Sequence, residues 1–224
     1  MKLCLIFQKA RYEKMNRNEL TLRHWKYYLM LENHFIKSLE FVELHIDNFN
    51  TFSNGYAQLI QSIGAELDSV FKEYCQFDTG SRKTIVNYAR YILSHNPNII
   101  NQKILILGYD IEIQPFQNWD ATKPSGSLKW WTAFTDVKHN RYDKLKQANL
   151  ENVINILGAL YLMEMTYLKE ITQNTSEFDI FGESSKIFTL ANWSSKATQL
   201  SDCWAVPVSS INELKRMRGE KKDE

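Results

Sequence analysis

Hydrophobic side chains recur at three- and four-residue steps through the first third of the chain. This spacing predicts two amphipathic helices, over residues 18–43 and 51–76, with Asn50 or Thr51 as the N-cap of the second. A short turn at 47–50 would join them as a hairpin that buries the two apolar stripes against each other. The polar side of the first helix carries Arg23, Lys26, Asn33, Lys37 and Glu40. A third helix is predicted over 81–94.

The hydrophobic period changes to two near residue 103. Residues 103–107 and 111–115 flank a turn that contains Gly108, which predicts a small β-hairpin packed on the helices. An extended segment at 187–190 or at 205–208 is a candidate partner for this hairpin.

The helical period then returns in two further segments. A fourth helix is predicted over 128–141, and a fifth over 148–170 that is apolar almost all round and is therefore expected at the centre of the fold. Gly158 on the fifth helix would allow a neighbouring element to approach closely. We predict a mainly α fold in which residues 1–172 form an antiparallel bundle of about five helices with a small β-hairpin. Residues 173–224 would form an irregular C-terminal extension packed on this bundle, with a frayed tail after 212.

Composition excludes several classes of protein. The 27 basic and 26 acidic residues give a net charge of +1, so no strong overall field attracts nucleic acid or anionic membranes, although a local patch remains compatible with this balance. The apolar stretch at 153–168 is interrupted and shorter than a membrane span, and the apolar run at the N-terminus is too short for an export signal. Three widely spaced cysteines, Cys4, Cys75 and Cys203, disfavour disulfides and zinc and fit a reducing cytoplasm.

The richest cluster of reactive side chains lies at 136–141, at the end of the fourth predicted helix. His139 can transfer a proton near neutral pH, Lys138 and Arg141 can bind a phosphate, and Asp136 lies on the same helical face as His139 and could orient its ring. These groups would suffice for metal-independent RNA cleavage, in which the ribose 2′-OH is the nucleophile. Alternatively, the cations only stabilise the C-terminus of the helix through its dipole.

At these residues the chain resembles a group of uncharacterised bacterial proteins. The shared features are a Trp-Trp at 130–131, a Val-Lys-His-x-Arg at 137–141, the apolar helix that follows, and the segment 41–52. More distantly, the chain is similar to the HEPN superfamily, whose members are helical and often dimeric. Many of them are ribonucleases of bacterial defence and toxin systems, and others only bind. The resemblance implies RNA, or a protein from the same operon, as a partner, and a homodimer.

The HEPN signature is an arginine, four to six residues, and then a histidine. At 136–141 the order is reversed, because Arg141 follows His139. The signature is matched formally by Arg90 with His95 and by Arg17 with His24; the second pair opens the first helix and is expected on the surface.

Other polar residues are given structural roles. Glu43, His45 and Asp47 alternate but fall short of a metal site, so no metal or other cofactor is expected. Glu66, at the edge of an apolar stripe, reaches water or has a partner, and Glu32 and His34 are expected to face solvent or to lie on the flank of the helix. The tryptophans at 119, 130, 131, 193 and 204 could stack on bases but are expected to fill the core.

Two functions follow from the sequence. In the first, the protein is a HEPN-like protein that acts on or binds RNA. If it is catalytic, it is a metal-independent endoribonuclease of a bacterial defence or toxin system. His139 would be the acid and base, Arg141 and Lys138 would bind phosphate, and Asp136 would orient the ring. In the second, the protein is a non-enzymatic module for protein interaction or dimerisation.

Overall fold

The computed structural model describes residues 15–78 and 83–196, and the backbone of the strands at 198–200 and 203–205. The predicted features at the N-terminus, including Cys4, lie outside the described residues, as do residues 206–208 and the predicted tail after 212. The fold is mainly α with a small antiparallel sheet, as the sequence predicts.

The first predicted helix consists of three consecutive segments. They are α1 (Arg17–Leu20), a π-helical segment (Thr21–Trp25) and α2 (Lys26–Ser38). Asn16 and Glu19 cap the start reciprocally through side-chain and backbone hydrogen bonds. The helix ends at Ser38, earlier than predicted, and the following turn leaves Phe41 87 % exposed while Leu44 enters the core.

The remaining helices follow the predicted order. They are α3 (Asn54–Tyr74), α4 (Ile85–His95), the short α5 (Pro124–Ser127), α6 (Lys129–His139), the short α7 (Arg141–Lys144) and α8 (Leu150–Thr172). The N-cap of α3 is Ser53 rather than Asn50 or Thr51, because its hydroxyl accepts the backbone N–H of Tyr56. Short 3₁₀ turns occupy Ile46–Asn48, Pro97–Asn101 and Leu145–Gln147.

The fifth predicted helix, α8, is the centre of the fold. Eighteen of its 23 residues are buried, and α2, α3 and α6 pack around it. Trp119, Trp130 and Trp131 are also buried, so these three tryptophans fill the core as expected. No helix in the described part of the chain has both the length and the apolar character needed to cross a membrane.

The small sheet lies against α8. It consists of β1 (Ile104–Ile106), β2 (Glu112–Ile113) and β3 (Phe188–Leu190) in the order β2-β1-β3, all antiparallel, with Ile104 opposite both Ile113 and Leu190. The sequence therefore identified the hairpin and one of its two candidate partners. A Cβ on Gly158 would lie 2.6 Å from Cδ1 of Ile113, so the close approach at this glycine is made by the sheet. β4 (Thr198–Leu200) and β5 (Cys203–Ala205) form a separate antiparallel pair.

A buried carboxylate joins α2 to the segment that precedes β3. Glu32 is fully buried, so the expectation that it faces solvent is wrong; His34 is exposed, as expected. Glu32 accepts hydrogen bonds from the hydroxyls of Tyr28 and Ser185 and, at 3.0 Å, from the backbone N–H of Lys186. These bonds explain why an acidic residue occupies the inner face of α2, because each buried donor needs an acceptor.

Candidate functional site

The four residues predicted at 136–141 lie at the exposed junction of α6 and α7, and three of them contact different residues. Asp136 accepts a hydrogen bond from Nε2 of Gln147 at 3.1 Å and lies 3.7 Å from Nζ of Lys144. Lys138 lies over the ring of Phe134, 5.5 Å from its centroid. Arg141 donates to Oδ1 of Asn54, the first residue of α3, at 2.6 Å.

The side chain of His139 is exposed and has no hydrogen bond or ion pair with another described residue. The carboxylate of Asp136 is bonded to Gln147, so nothing in the described contacts orients the His139 ring. The cations at this junction follow the last turn of α6, where the helix dipole stabilises positive charge. This arrangement accounts for Lys138 and His139 as the end of a helix, and the catalytic role assigned to them stays a prediction.

The formal match of Arg90 with His95 also lies at a helix end. His95 closes α4, where its Nδ1 lies 2.8 Å from the carbonyl oxygen of Tyr91 and its ring stacks on the Tyr91 ring at 4.0 Å. Arg90 is exposed without a described partner. His45 accepts the backbone N–H of Asp47 and caps a 3₁₀ turn. Across the described residues, no group of three or more His, Cys, Asp or Glu could hold a metal ion.

The other formal match, Arg17 with His24, is placed differently from the prediction. His24 is 6 % exposed, so the expectation that it lies on the surface is wrong. It belongs to the π-helical segment, and its Nδ1 lies 2.5 Å from Oε1 of Glu66 on α3. Glu66 therefore has the partner that the sequence left open. Arg17 is half-buried and donates to the carbonyl oxygen of Ile180 at 2.8 Å, so it is engaged elsewhere.

A second carboxyl group lies behind this pair. Glu164, on the central helix α8, is fully buried, and neither of its oxygens has a hydrogen-bond partner among the described residues. Burial, and then the nearby charge of Glu66, raise the pKa of Glu164 well above its usual value, since each disfavours the ionised form. We call His24, Glu66 and Glu164, which come from three separate elements, the buried cluster; His24 contacts Glu66, and the charge of Glu66 acts on Glu164.

Glu66 is the member of the buried cluster that reaches the surface, in a cleft between α2 and α3. The part of this cleft next to Glu66 has a volume of about 850 Å³, and α2 and the π-helical segment contribute to its wall Leu22, Arg23, Lys26, Tyr27 and Met30. Towards the N-terminus of α3 the cleft continues as a second cavity of about 790 Å³, and Ser62 lines both. His34, Lys37 and Phe41 line this second part. We call the whole cleft the α2–α3 groove.

The two walls of the groove differ in chemistry. The α2 wall carries the cations Arg23, Lys26 and Lys37 beside partly exposed apolar side chains, among them Tyr27 at 37 % and Met30 at 41 %. The α3 wall carries small or uncharged residues, and Glu66 is the one carboxylate among the described residues that line either part. Glu19 lies 3.9 Å from Arg23, but both side chains are exposed and such a pair binds weakly.

Sequence reasoning missed the buried cluster because its members are 42 and 98 residues apart. Two signals were present in the sequence: Glu66 at the edge of an apolar stripe, and Glu164 inside a helix that is otherwise apolar almost all round. An acidic residue in such a helix must be neutral or paired, which marks it as unusual. The π-helical turn that buries His24, a feature often found at functional sites, has no comparable signal in the sequence.

Neither a protein-family model, nor a curated protein sequence, nor a solved structure matches the chain.

Proposed function

We propose that the protein binds single-stranded RNA in the α2–α3 groove. The observation that carries this proposal is the asymmetry of the groove. One wall supplies three cations within 15 residues of a single helix, and the facing wall, apart from Glu66, adds no negative charge. Positive charge along a cleft attracts a phosphate backbone, even in a protein whose net charge is only +1.

The apolar side chains of the groove favour a single strand over a duplex. Tyr27 and Phe41, 37 % and 87 % exposed, offer faces on which unpaired bases can stack, and Met30 lines the same part of the groove as Tyr27. A duplex hides its base faces and cannot use such contacts. From Ser53 to Ser69, the groove follows α3 for about 24 Å, which gives an extended strand room to lie along it.

Metal-independent cleavage of the bound RNA is the activity that the buried cluster supports. Glu66 lines the groove and is hydrogen-bonded to His24, while Arg23 and Lys26 lie on the facing wall. The carboxylate of Glu66, which lines the groove and is held by His24, would take the proton of a ribose 2′-OH, whose oxygen forms a bond to phosphorus as the bond to the 5′-oxygen breaks. Water would protonate the 5′-oxygen, and the two cations would stabilise the added negative charge on the phosphate. The products are a 2′,3′-cyclic phosphate and a 5′-hydroxyl.

This proposal keeps the HEPN-like function predicted from the sequence, with the location changed. An RNA-cleaving role in a bacterial defence or toxin system and a cytoplasmic location belong to the same proposal. The His24–Glu66 pair, with Glu66 facing the groove, replaces His139 for proton transfer, and Arg23 and Lys26 replace Lys138 and Arg141 as phosphate ligands.

Binding is tested by fluorescence anisotropy with a 5′-labelled 12-nucleotide RNA, single-stranded and as a duplex, over a series of salt concentrations. We expect the single strand to bind more tightly. The double variant Arg23→Glu/Lys26→Glu should bind more weakly, with a slope of log K against log salt smaller by about 1.4, since each lost phosphate contact removes about 0.7.

The matched control is Lys129→Glu/Lys146→Glu, which reverses two exposed lysines away from the groove. It should bind like the wild type. Equal loss in the two double variants, or tighter binding of the duplex, would contradict the proposal.

A second candidate, a module for protein interaction, is favoured by exposed apolar residues at one end of the molecule. Phe41, Ile46 and Tyr142 are 87 %, 62 % and 89 % exposed. A homodimer, or a partner encoded in the same operon, would cover them. Light scattering of the wild type and of Tyr142→Lys tests the homodimer: a dimer that the substitution dissociates supports this candidate, and a monomer in both rejects the homodimer.

A further inference from the structure

A small polar pocket lies where the segment after β2 meets the first turns of α6 and α8. Its volume is about 180 Å³, and it shares no lining residue with the α2–α3 groove. Sites for drug-sized ligands measure roughly 300–1,000 Å³, so this pocket suits a single ring or side chain. We call it the amide pocket, because five of the described residues that line it carry a side-chain amide: Gln114, Gln117, Asn118, Asn152 and Asn155.

Three of these amides are held in one orientation. The side-chain nitrogens of Gln114, Asn152 and Asn155 donate to backbone carbonyl oxygens at 2.6, 2.9 and 2.8 Å. A carbonyl oxygen can only accept, so the nitrogen end of each amide is committed to the backbone. The three amide oxygens have no hydrogen-bond partner among the described residues, although Asn152 is only 9 % exposed. The amide pocket therefore offers mainly acceptors to a ligand.

A carboxylate and an aromatic ring complete the lining. Glu151 is half-buried, and its carboxylate has no hydrogen bond or ion pair with a described residue. Trp130 is 3 % exposed, and its ring nitrogen donates to the backbone oxygen of Pro115 at 2.7 Å, which fixes the ring as an apolar wall. A flat ligand with several N–H donors along one edge matches these groups.

Two common groups have such an edge: the guanine base, through N1–H and its N2 amino group, and the guanidinium cation of arginine. Two features offset the attraction of Glu151 for a cation. The pocket lies at the start of α8, the positive end of the helix dipole, and the exposed Lys129 also lines it. The neutral guanine is therefore favoured. The other bases are disfavoured, because each places an acceptor beside its N–H donors, where it would face the acceptors of the pocket.

We propose that the amide pocket binds a guanine base. The Glu151 carboxylate accepts N1–H and one N2–H, and the side-chain oxygen of Asn155 accepts the other N2–H. Glu151 and Asn155 are suited to act together, since they lie one turn apart on the same face of α8 and the Asn155 amide is bonded to the Glu151 backbone. Trp130 provides the apolar wall beside the base.

The base belongs either to a free guanine nucleotide or to RNA. For RNA, the inference rests on the proposed function, and the positions are compatible with it. Glu151 donates its backbone N–H to the oxygen of Phe49 at 3.1 Å, and Ser53, which lines the groove, donates its own to the oxygen of Ala148 at 3.4 Å. One short chain segment thus separates the amide pocket from the end of the groove.

Binding is tested by isothermal titration of the full chain with guanosine, inosine and adenosine 5′-monophosphates. Inosine lacks only the N2 amino group, so its nucleotide should bind about tenfold more weakly than that of guanosine, and that of adenosine more weakly still. Glu151→Gln should weaken binding of the guanosine nucleotide by about tenfold. Glu40→Gln, which changes an exposed carboxylate outside the amide pocket, should leave it unchanged.

A second arm distinguishes the two sources of the base. The labelled single-stranded RNA is compared with a copy in which inosine replaces its guanosine. Tighter binding of the guanosine strand, lost in Glu151→Gln, supports RNA as the source, and selectivity for the mononucleotide alone supports a free nucleotide. If the guanosine nucleotide binds selectively but RNA does not bind, the proposed function fails and the guanine site stands.

Equal binding of the three mononucleotides to the wild type would overturn the inference, and this comparison does not depend on the folding of any variant. Tighter binding of methylguanidinium than of the guanosine nucleotide would also overturn it, since the amide pocket would then be a site for an arginine side chain.

Discussion

The buried cluster and the junction at 136–141 each contain a histidine and a carboxylate, in opposite arrangements. At the junction, a histidine, a carboxylate and two cations are neighbours in sequence, yet the carboxylate and the two cations contact three different residues, and the histidine is exposed without a described side-chain partner. In the buried cluster, His24 and Glu66 are 42 residues apart in the chain and lie 2.5 Å apart, and the charge of Glu66 acts on the buried Glu164.

The difference follows from the physics of helix ends. Polar residues collect at the C-terminus of a helix because the dipole and the unsatisfied carbonyl groups favour them, whatever the function of the protein. Polar residues inside a core are opposed by desolvation, so their presence there needs a specific reason. A buried histidine paired with a carboxylate therefore indicates function more strongly than a denser group of charges at a helix end.

The largest effect should be on RNA cleavage by variants of the two histidines. His24→Asn should lower the rate by about 10²–10⁴-fold, the usual contribution of a residue that transfers a proton. His139→Asn should leave the rate unchanged. Both are measured in EDTA with single-stranded RNA, after circular dichroism has shown that each variant is folded. Loss of cleavage in His139→Asn alone would restore the junction as the catalytic site.

A second comparison concerns the stability contributed by carboxylates in the core and at the junction. Glu32→Ala should lower the free energy of unfolding by about 3 kcal/mol or more, because three buried donors lose their acceptor. Asp136→Ala, which removes contacts at a partly exposed site, should cost about 1 kcal/mol or less. Urea denaturation measures both. Similar losses of unfolding free energy in the two variants would show that the contacts of Asp136 stabilise the fold as strongly as those of Glu32.

Smaller, and dependent on pH, is the effect of Glu164 on stability. Its pKa is raised in the folded protein, so the folded state holds the proton more tightly than the unfolded state does. The contribution of this proton to the free energy of unfolding should be fully present below the usual pKa of a glutamate. It should fall as the pH rises, by about 1.4 kcal/mol per pH unit until the folded-state pKa is reached. In Glu164→Gln this fall should be missing. Parallel curves of unfolding free energy against pH for the two proteins would contradict a buried proton.

Most of the fold could be predicted because its signals are local. Periodicity located the five long helices, the all-round apolar character of 148–170 indicated the central helix, and Gly108 marked the hairpin. The first helix was predicted too long, since the apolar pattern continues past Ser38 although the chain turns there to bury Leu44.

The candidate site could be predicted only in fragments. The polar face of the first helix was identified with Arg23, Lys26 and Lys37 on it, but the cleft beside it depends on how far α2 stands from α3. Tertiary packing brings together His24 with Glu66 and Glu32 with Ser185, which are separated in sequence by 42 and 153 residues. A single sequence carries no local pattern for contacts of this kind.

The groove is tested most directly by locating the RNA on the protein. Single-stranded RNA that contains 4-thiouridine is cross-linked to the wild type by light, and the modified peptides are identified by mass spectrometry. The account predicts cross-links on the peptides that contain Tyr27 and Met30, and their loss in Arg23→Glu/Lys26→Glu. Cross-links confined to Tyr142 and the junction at 136–141, with none on α2, would contradict it.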